Sequence, residues 1–514
     1  MLKKSLAVSI PLTFCGVTSV FAGQPFKQSA KTSKTNVILC MADDLGWGSV
    51  GYNGSSFIKT PNLDSIASNG IKFDNFYSAA PVCSPTRASC LNGRNPYRTG
   101  VFSANQGVLR TEEVTIAEIL KNYSYTCGHF GKWHLGTLTV TGKDSNRGGS
   151  KHPELFNPPT KHGFDTYFST EAKVPTWDPM KIPVSFKGEE SRKYGWHYLT
   201  SDKKFKEFGT HYWTPEGKVT ENLNGDDSRI IMDRAIPFIE KAVSDKKPFL
   251  AVIWFHAPHL PVVAGPEYVQ MYKDLPFKKQ QYAGAVTAMD NQIGRLIKKL
   301  KELKVYDDTI FFFTSDNGPE RNTPGETGGR KGRKRSLYDG GIHVPGLMLW
   351  PGKFPEHQTI KTSCVTSDYL PTILDALNIP LKENDKLHLD GCSMLPAIEH
   401  PQNKNRDISI PFVFKNQLAL NDGKGYKLYK SLNNKPELYD LINDPNEKNN
   451  IADSFPEKVD EYTKRFYDWF KDVEKSFKGN EYGCESYDKI GQTWPGIYAK
   501  HKKHKKKHRR NKKK

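Results

Sequence analysis

After its first 22 residues this 514-residue chain has no apolar run long enough to cross a bilayer, which takes about 20 consecutive apolar residues. Cysteine is scarce as well. The eight lie at 15, 40, 83, 90, 127, 364, 392 and 484, scattered and without a Cys-x-x-Cys metal pattern. An acidic excess is also lacking, and the formal charge is +19. That figure overstates the body of the protein, because ten of the last fourteen residues are Lys or Arg, and without them the charge is +9. A moderately basic body suits an acidic substrate without naming one, and the 496–514 tail reads as low-complexity and disordered. No integral membrane segment and no nucleic-acid partner is expected. With 25% charged and 37% apolar residues, the composition is that of a soluble protein of one large domain plus a smaller one.

What is present begins with an export signal. Met1-Leu2-Lys3-Lys4, an apolar stretch to Phe21, and Val20-Phe21-Ala22 before Gly23 read as a secretory leader spanning residues 1–22. A lipoprotein anchored at Cys15 is the alternative, disfavoured by bulky Phe14. The expected location is periplasmic or secreted. Setting aside Cys15 and Cys83 leaves six cysteines, which an oxidising compartment permits to pair. Cys40 and Cys127, in strand-like runs, read instead as buried thiols.

Four stretches share one grammar, an apolar run followed at once by polar residues. Residues 37–42 lead into Asp43-Asp44, and 249–255 into His256-Ala257-Pro258-His259. Residues 309–314 lead into Ser315-Asp316-Asn317-Gly318, and 125–130 into Gly131-Lys132-Trp133-His134. Continuous apolar runs mark strands buried on both faces, and ligands bind outside the carboxyl ends of such sheets. Amphipathic helices are expected at 61–68, 116–121, 226–243 and 282–303. The fold class is therefore α/β, a doubly wound, mostly parallel sheet flanked by helices. From 140 to 224 the pattern breaks down into a Gly-, Pro- and aromatic-rich insertion, a candidate substrate wall carrying Trp177, Trp196, Tyr198, His211 and Trp213. After residue 380 the periodicity changes. Short strands at 424–432 and 437–441 and a helix at 459–473 predict a C-terminal α+β subdomain spanning 381–495, after a catalytic domain spanning 23–380.

Cys83-Ser84-Pro85-Thr86-Arg87 is the unusual stretch. Proline near the start of a helix puts Cys83 at a mouth whose N–H groups favour an anion, with Arg87 one turn along. A bare Cys-x-Pro-x-Arg is equally compatible with a structural thiol beside a surface arginine. Continued to Gly93-Arg94, the pattern resembles the signature of type I sulfatases, members of the alkaline phosphatase superfamily, in which the cysteine is oxidised to formylglycine and its hydrate is the nucleophile. Gly131-Lys132-Trp133-His134, Ala257-Pro258-His259-Leu260-Pro261 and Gly332-Arg333-Lys334-Arg335 resemble further motifs of that family. Asp339 stands where Glu is commoner, and His343 where Arg is usual.

By themselves, Asp43-Asp44 and Asp316-Asn317 offer hard oxygen donors suited to Ca²⁺ or Mg²⁺. The resemblance implies that these four, with residue 83, hold Ca²⁺, Mg²⁺ remaining open. It also implies that Arg87, Lys132, His134, His259 and Lys334 ring the sulfate. His259 would protonate the leaving alcohol with Lys334 nearby, and His134 would deprotonate the second hydroxyl of the hydrate. Trp177, His211, Trp213, His256 and Arg333 are the candidate substrate contacts. A formylglycine-generating or anaerobic maturation enzyme is an implied partner. The expected substrate is a sulfated carbohydrate, a carrageenan-like galactan before a glycosaminoglycan. A phosphodiester or phosphonate hydrolase, and a non-catalytic binder of sulfated glycans, are the alternatives.

Overall fold

The structure, a computed structural model, describes residues 35–183, 206–380, 388–432, 434–482 and 494–496. The expected leader with Cys15, Trp196, Tyr198, Cys484 and the tail from 497 lie outside the described residues.

The first strands are β1 (Asn36–Ala42), β2 (Ile71–Phe73), β3 (Phe76–Tyr77), β4 (Thr126–Lys132), β5 (Thr166–Thr170) and β6 (Trp213–Thr214). Next come β7 (Gly217–Lys218), β8 (Phe249–Trp254), β9 (Thr309–Ser315), β10 (Gly346–Leu349), β11 (Gln358–Ile360) and β12 (Cys364–Val365). Ten of these form one sheet in the order β11-β2-β10-β9-β1-β8-β4-β5-β6-β7, and β3 pairs with β12. Its centre is parallel, β9, β1, β8, β4 and β5 all running the same way. Every residue of β1, β8 and β9 is buried, as strands covered on both faces require.

Alternation along β1 sorts the core into two layers. Val37, Leu39 and Met41 join one hydrophobic cluster with Ile116, Leu120 and Leu370; Ile38, Cys40 and Ala42 join the other with Ile231, Val286 and Met289. The covering helices are α1 (Pro61–Asn69), α2 (Cys83–Asn92), α3 (Ile116–Lys121), α4 (Asp227–Ser244) and α5 (Phe277–Glu302). Thr115 and Glu118 close a capping box on α3, and the Asp226 carboxylate accepts from the Arg229 N–H at the start of α4.

A second, antiparallel sheet follows, made of β13 (Ile410–Phe414), β14 (Gln417–Asn421), β15 (Tyr426–Ser431) and β16 (Glu437–Asp440). Leu418, Leu420, Leu428 and Leu438 bury one of its faces against Val459, Tyr462 and Phe466 of α6 (Pro456–Phe477).

Two features depart from the sequence expectation. The 140–224 stretch is not wholly irregular, since β5 extends the main sheet beside β4. Its five residues include three Thr or Ser, which hide the apolar signal of a buried strand. Antiparallel β10 and the hairpin β13–β14 carry too little contrast with their surroundings to read as strands. The six described cysteines are all free, Cys40 and Cys127 among them as buried thiols. Burial pushes the Cys40 and Cys127 thiols well above their usual range, in keeping with inert core positions.

Candidate active site

The carboxyl ends of β1, β4, β8 and β9 release their chains at one edge of the sheet, and α2 begins against them. Cys83 is the first residue of α2, and all ten residues of that helix are buried. Arg87, one turn on, donates through Nη1 to the Lys132 carbonyl at 3.0 Å and through Nη2 to Asp316 Oδ2 at 2.6 Å. Lys132 Nζ lies 2.6 Å from Asp43 Oδ2, and Lys334 Nζ reaches Asp44 Oδ1 at 2.5 Å and Cys83 Sγ at 3.6 Å. The thiol itself is 3.5 Å from Asp43 Oδ1. Asp44 (φ 64°) and His134 (φ 58°) both hold left-handed backbone, uncommon for residues other than glycine and a mark of functional sites. At Gly131, φ 100°, an added Cβ would lie 1.9 Å from the Trp254 carbonyl oxygen, so only glycine lets β4 deliver Lys132 beside β8.

Three carboxylates thus face three cations, and all six side chains are buried. Burial alone would raise the Asp43 carboxyl, but Lys132, His259, Arg87 and Lys334 together hold it well below the usual range. Burial and the neighbouring Asp43 carry Asp316 the other way, up to about 7, against Arg87 and Lys132. Burial, with Asp316 and Asp43, pushes the Cys83 thiol up to about 12. Burial, joined by nearby cations, holds both His134 and His259 well below the ordinary imidazole value. Each histidine has one nitrogen committed. His134 Nε2 is 2.9 Å from Asn105 Oδ1, which leaves Nδ1 without a partner. His259 Nδ1 donates to the Leu260 carbonyl at 2.6 Å, which turns Nε2 toward Asp44 Oδ2 at 3.6 Å.

A metal ion fits this donor set. Ligand atoms of Asp43, Asp44, Cys83 and His259 lie within 4.8 Å of one another. Asp44 Oδ2 and Asn317 Oδ1 are buried oxygens with no hydrogen-bond partner, although Asn317 Nδ2 donates to Asp44 Oδ1 at 2.7 Å. Uncompensated buried oxygens are costly, and a hard divalent cation supplies what they lack. Asp316 joins them through Oδ1, which accepts from the Asp44 N–H at 3.1 Å.

Above the cluster opens a cavity of about 730 Å³. Cys83, Lys132, His134, His259 and Lys334 line it, whereas Arg87 does not, its guanidinium being spent on Asp316 and the Lys132 carbonyl. Residues the sequence reading missed add charge to its walls, notably Lys173, Arg321, Arg335 and Lys415. The signal for Lys173 was its place beside Glu171 and Ala172, just after a strand end. Lys415 arrives from the β13–β14 turn, and nothing in its local sequence points to the site.

The five candidate substrate contacts do not line this cavity. His256 requires correction. It is fully buried, its Nε2 lies 2.8 Å from Thr170 Oγ1 and its Nδ1 2.8 Å from Asp227 Oδ2, so it ties β5 to α4. Arg333 Nη2 donates to the carbonyls of Thr323 and Gly325, fixing its own loop. His211 pairs with Asp144 at 2.7 Å, and Trp213 packs on the core beside β5. Trp177 bridges to Asp226, and its ring lies over Gly265, where an added Cβ would come within 2.3 Å. Trp177→Ala should therefore act through stability, by about 2 kcal/mol for a large ring removed from a partly buried site, measurable by denaturant unfolding. Turnover of small and large esters should fall alike; a loss confined to polymers would restore Trp177 to the substrate wall. Asp339 and His343 sit behind the site, where Lys427 Nζ contacts Asp339 Oδ1 and His343 Nε2 meets the Asp74 carbonyl at 2.8 Å.

A sequence model of the sulfatase family matches residues 35–379. The chain belongs to that family. A second model, for the C-terminal region of N-sulphoglucosamine sulphohydrolase, matches residues 330–475. The family places this sulfatase among the sulfuric ester hydrolases. The N-acetylgalactosamine-6-sulfatase of Canis lupus familiaris is 30% identical over 393 residues, covering 73% of this chain and 67% of its own. The chain thus spans about two thirds of the length of that relative. The steryl-sulfatase of Homo sapiens is 27% identical, covering 83% of this chain and 85% of its own. Among solved structures, Ps i-CgsB in complex with k-i-k-neocarrahexaose superposes with a TM-score of 0.73 at 27% identity, over 91% of this chain and 98% of that one. Among the described residues no helix is long and apolar enough to cross a membrane.

Proposed function

We propose that this sulfatase is exported and removes sulfate from a sulfated carbohydrate, a carrageenan-like galactan before a glycosaminoglycan. Residue 83 would be formylglycine, made by a formylglycine-generating or anaerobic maturation enzyme. One Ca²⁺, or Mg²⁺ in its place, would be held by Asp43, Asp44, Asp316, Asn317 and residue 83. The observation that carries the reading is the convergence of Cys83, Lys132 and Lys334 on buried acidic oxygens beneath a cavity of about 730 Å³ walled by further cations. A cavity of that size holds more than a bare sulfate, and its cations suit a substrate with several anionic groups. The similarity to Ps i-CgsB, solved with a neocarrahexaose, favours a galactan. The catalytic domain is assigned to 23–380 and the α+β subdomain to 381–495.

When bound, the ion supplies Lewis-acid charge stabilisation, and the hydrated aldehyde supplies an oxygen nucleophile. The chain's own groups do the rest. Lys132 and Lys334 neutralise and orient the sulfate oxygens, and Arg87 holds Lys132 and Asp316 in place beneath them. His259, with Nδ1 committed to Leu260, presents Nε2 as the atom that exchanges a proton with the leaving alcohol, Lys334 standing beside it. His134, with Nε2 committed to Asn105, presents Nδ1 as a base.

The test is sulfate release from a panel of defined sulfated oligosaccharides. Release from galactan-derived members supports the first choice, release from glycosaminoglycan-derived members only would shift the substrate, and turnover of phosphate or phosphonate esters alone would overturn the assignment. Chelation gives a separate check. Removing the ion should abolish turnover and lower Tm, since a ligand at one hundred times its Kd stabilises by about 2.7 kcal/mol. Full activity in protein shown to be metal-free by elemental analysis would sink the metal assignment.

A further inference from the structure

A second cavity, of about 600 Å³, opens beyond β9 and β10. It lies between residues that follow β2 and β11, among them Lys361, and residues of the second sheet, among them Asn421 and Lys424. β10 is antiparallel to both β9 and β2, so β2 and its parallel neighbour β11 run with β1. Their carboxyl ends therefore face the edge that carries Asp43 and Asp44. β2 lies three strands from β1, roughly 14 Å at the usual interstrand spacing. One segment borders both cavities: Arg330 lines this one, and Lys334, four residues on, lines the first.

The lining is charged in one sense. Lys72, Lys361, Lys404, Lys424 and Arg330 face the single carboxylate Asp74. Asp74 is taken by Lys72 at 3.1 Å, and no described residue forms an ion pair with Lys361, Lys404 or Lys424. The Arg330 guanidinium lies 3.8 Å over the Trp47 ring, and its Nε donates to His343 Nδ1 at 3.1 Å, which fixes it at the wall. Asn421, only 1% exposed, spends Oδ1 on the Gly423 N–H at 2.9 Å, and its Nδ2 has no partner. A buried amide donor of that kind lacks an acceptor, and an anionic oxygen entering the cavity provides one. Sulfate ester cleavage uses none of these groups.

We propose that this cavity binds a second sulfate group of the same carbohydrate chain, so that the enzyme grips its polymer at two points along one sheet edge. The proposal rests on the carbohydrate reading above. Lys361, Lys404 and Lys424 provide the electrostatic attraction, Asn421 Nδ2 a directional hydrogen bond, and the Arg330–Trp47 stack one wall of the cavity.

The test titrates a sulfated galactan polymer into Cys83→Ala protein, which holds the polymer without turning it over. Adding K361A, K404A and K424A together should weaken binding about tenfold, because each exposed ion pair contributes a factor of roughly two. The salt dependence of binding should flatten as well. Replacing Lys298, Lys464 and Lys471 by alanine, three lysines with side chains 80%, 81% and 74% exposed elsewhere, should leave affinity unchanged. In protein that retains Cys83, the first triple variant should raise KM for the polymer by a similar factor and leave kcat/KM for a small aryl sulfate as it was. Unchanged polymer affinity in the first variant, an equal loss in the second, or equal losses on both esters overturns the proposal. If the parent desulfates carbohydrate while the first variant is silent, only the second site falls. If the parent neither binds nor desulfates any sulfated carbohydrate, the carbohydrate reading falls first.

Discussion

Cys83→Ala protein should release no measurable sulfate from any ester, a loss on the order of 10⁶-fold, the scale of deleting a catalytic nucleophile. The residue opens α2 with its side chain between Asp43 Oδ1 at 3.5 Å and Lys334 Nζ at 3.6 Å, at the floor of the cavity. An unmodified thiol would serve badly there. Burial, Asp316 and Asp43 push its pKa up to about 12 in the metal-free site, which disfavours the nucleophilic thiolate there. The local field that disables a thiol is compatible with a neutral hydrated aldehyde, whose charge develops only as it attacks. Mass spectrometry of the peptide spanning residue 83 should therefore find aldehyde in active protein, in proportion to specific activity. A preparation with full activity and only cysteine at position 83 would refute the mechanism. The fold should survive the substitution, since it removes one sulfur from a helix start and leaves the Arg87–Asp316 contact of 2.6 Å in place.

His259→Ala should cost about 10²–10⁴-fold on a sugar sulfate and far less on nitrophenyl sulfate, the range general acid catalysis contributes. A sugar alkoxide needs a proton as its S–O bond breaks, whereas a nitrophenolate leaves with little help. Only Nε2 can deliver it, because Nδ1 is held by the Leu260 carbonyl at 2.6 Å. Burial, Lys334, Lys132 and Lys173 keep this imidazole neutral in the free site. An anionic ester opposes those cations and favours the protonated ring. Turnover of sugar sulfates should consequently fall as pH rises through the imidazole's pKa in the complex, and the aryl ester should lack that limb. His134→Ala should instead impair both esters, since its partnerless Nδ1 serves the step they share. Equal losses on both esters after His259→Ala would move the acid elsewhere, and Lys334, 2.5 Å from Asp44 Oδ1, is the next group to test.

The sequence by itself determined the sheet centre and the reactive groups at its edge. Long apolar runs at β1, β8 and β9 need burial on both faces, and the polar residues after them are local neighbours whose position follows from the strand end alone. Asp43, Asp44, Lys132, His259, Asp316 and Asn317 were legible for that reason, and Cys83 with Arg87 because proline marks a helix start. Tertiary structure decided what local pattern does not encode. His256 and His259 follow the same strand, yet the first turns under the sheet edge to Thr170 and Asp227 while the second faces the cavity. Trp177 and Trp213 had the composition of a glycan wall, but the strand β5 hidden among threonines and serines draws its surroundings into the sheet and turns these rings to packing. Lys415 and Asn421 reach their cavities only because the β13–β16 sheet docks beside the sheet edge, a contact between residues far apart in the chain. Spacing rules report which neighbours a residue has along one element; which face it shows to another element depends on how the elements pack.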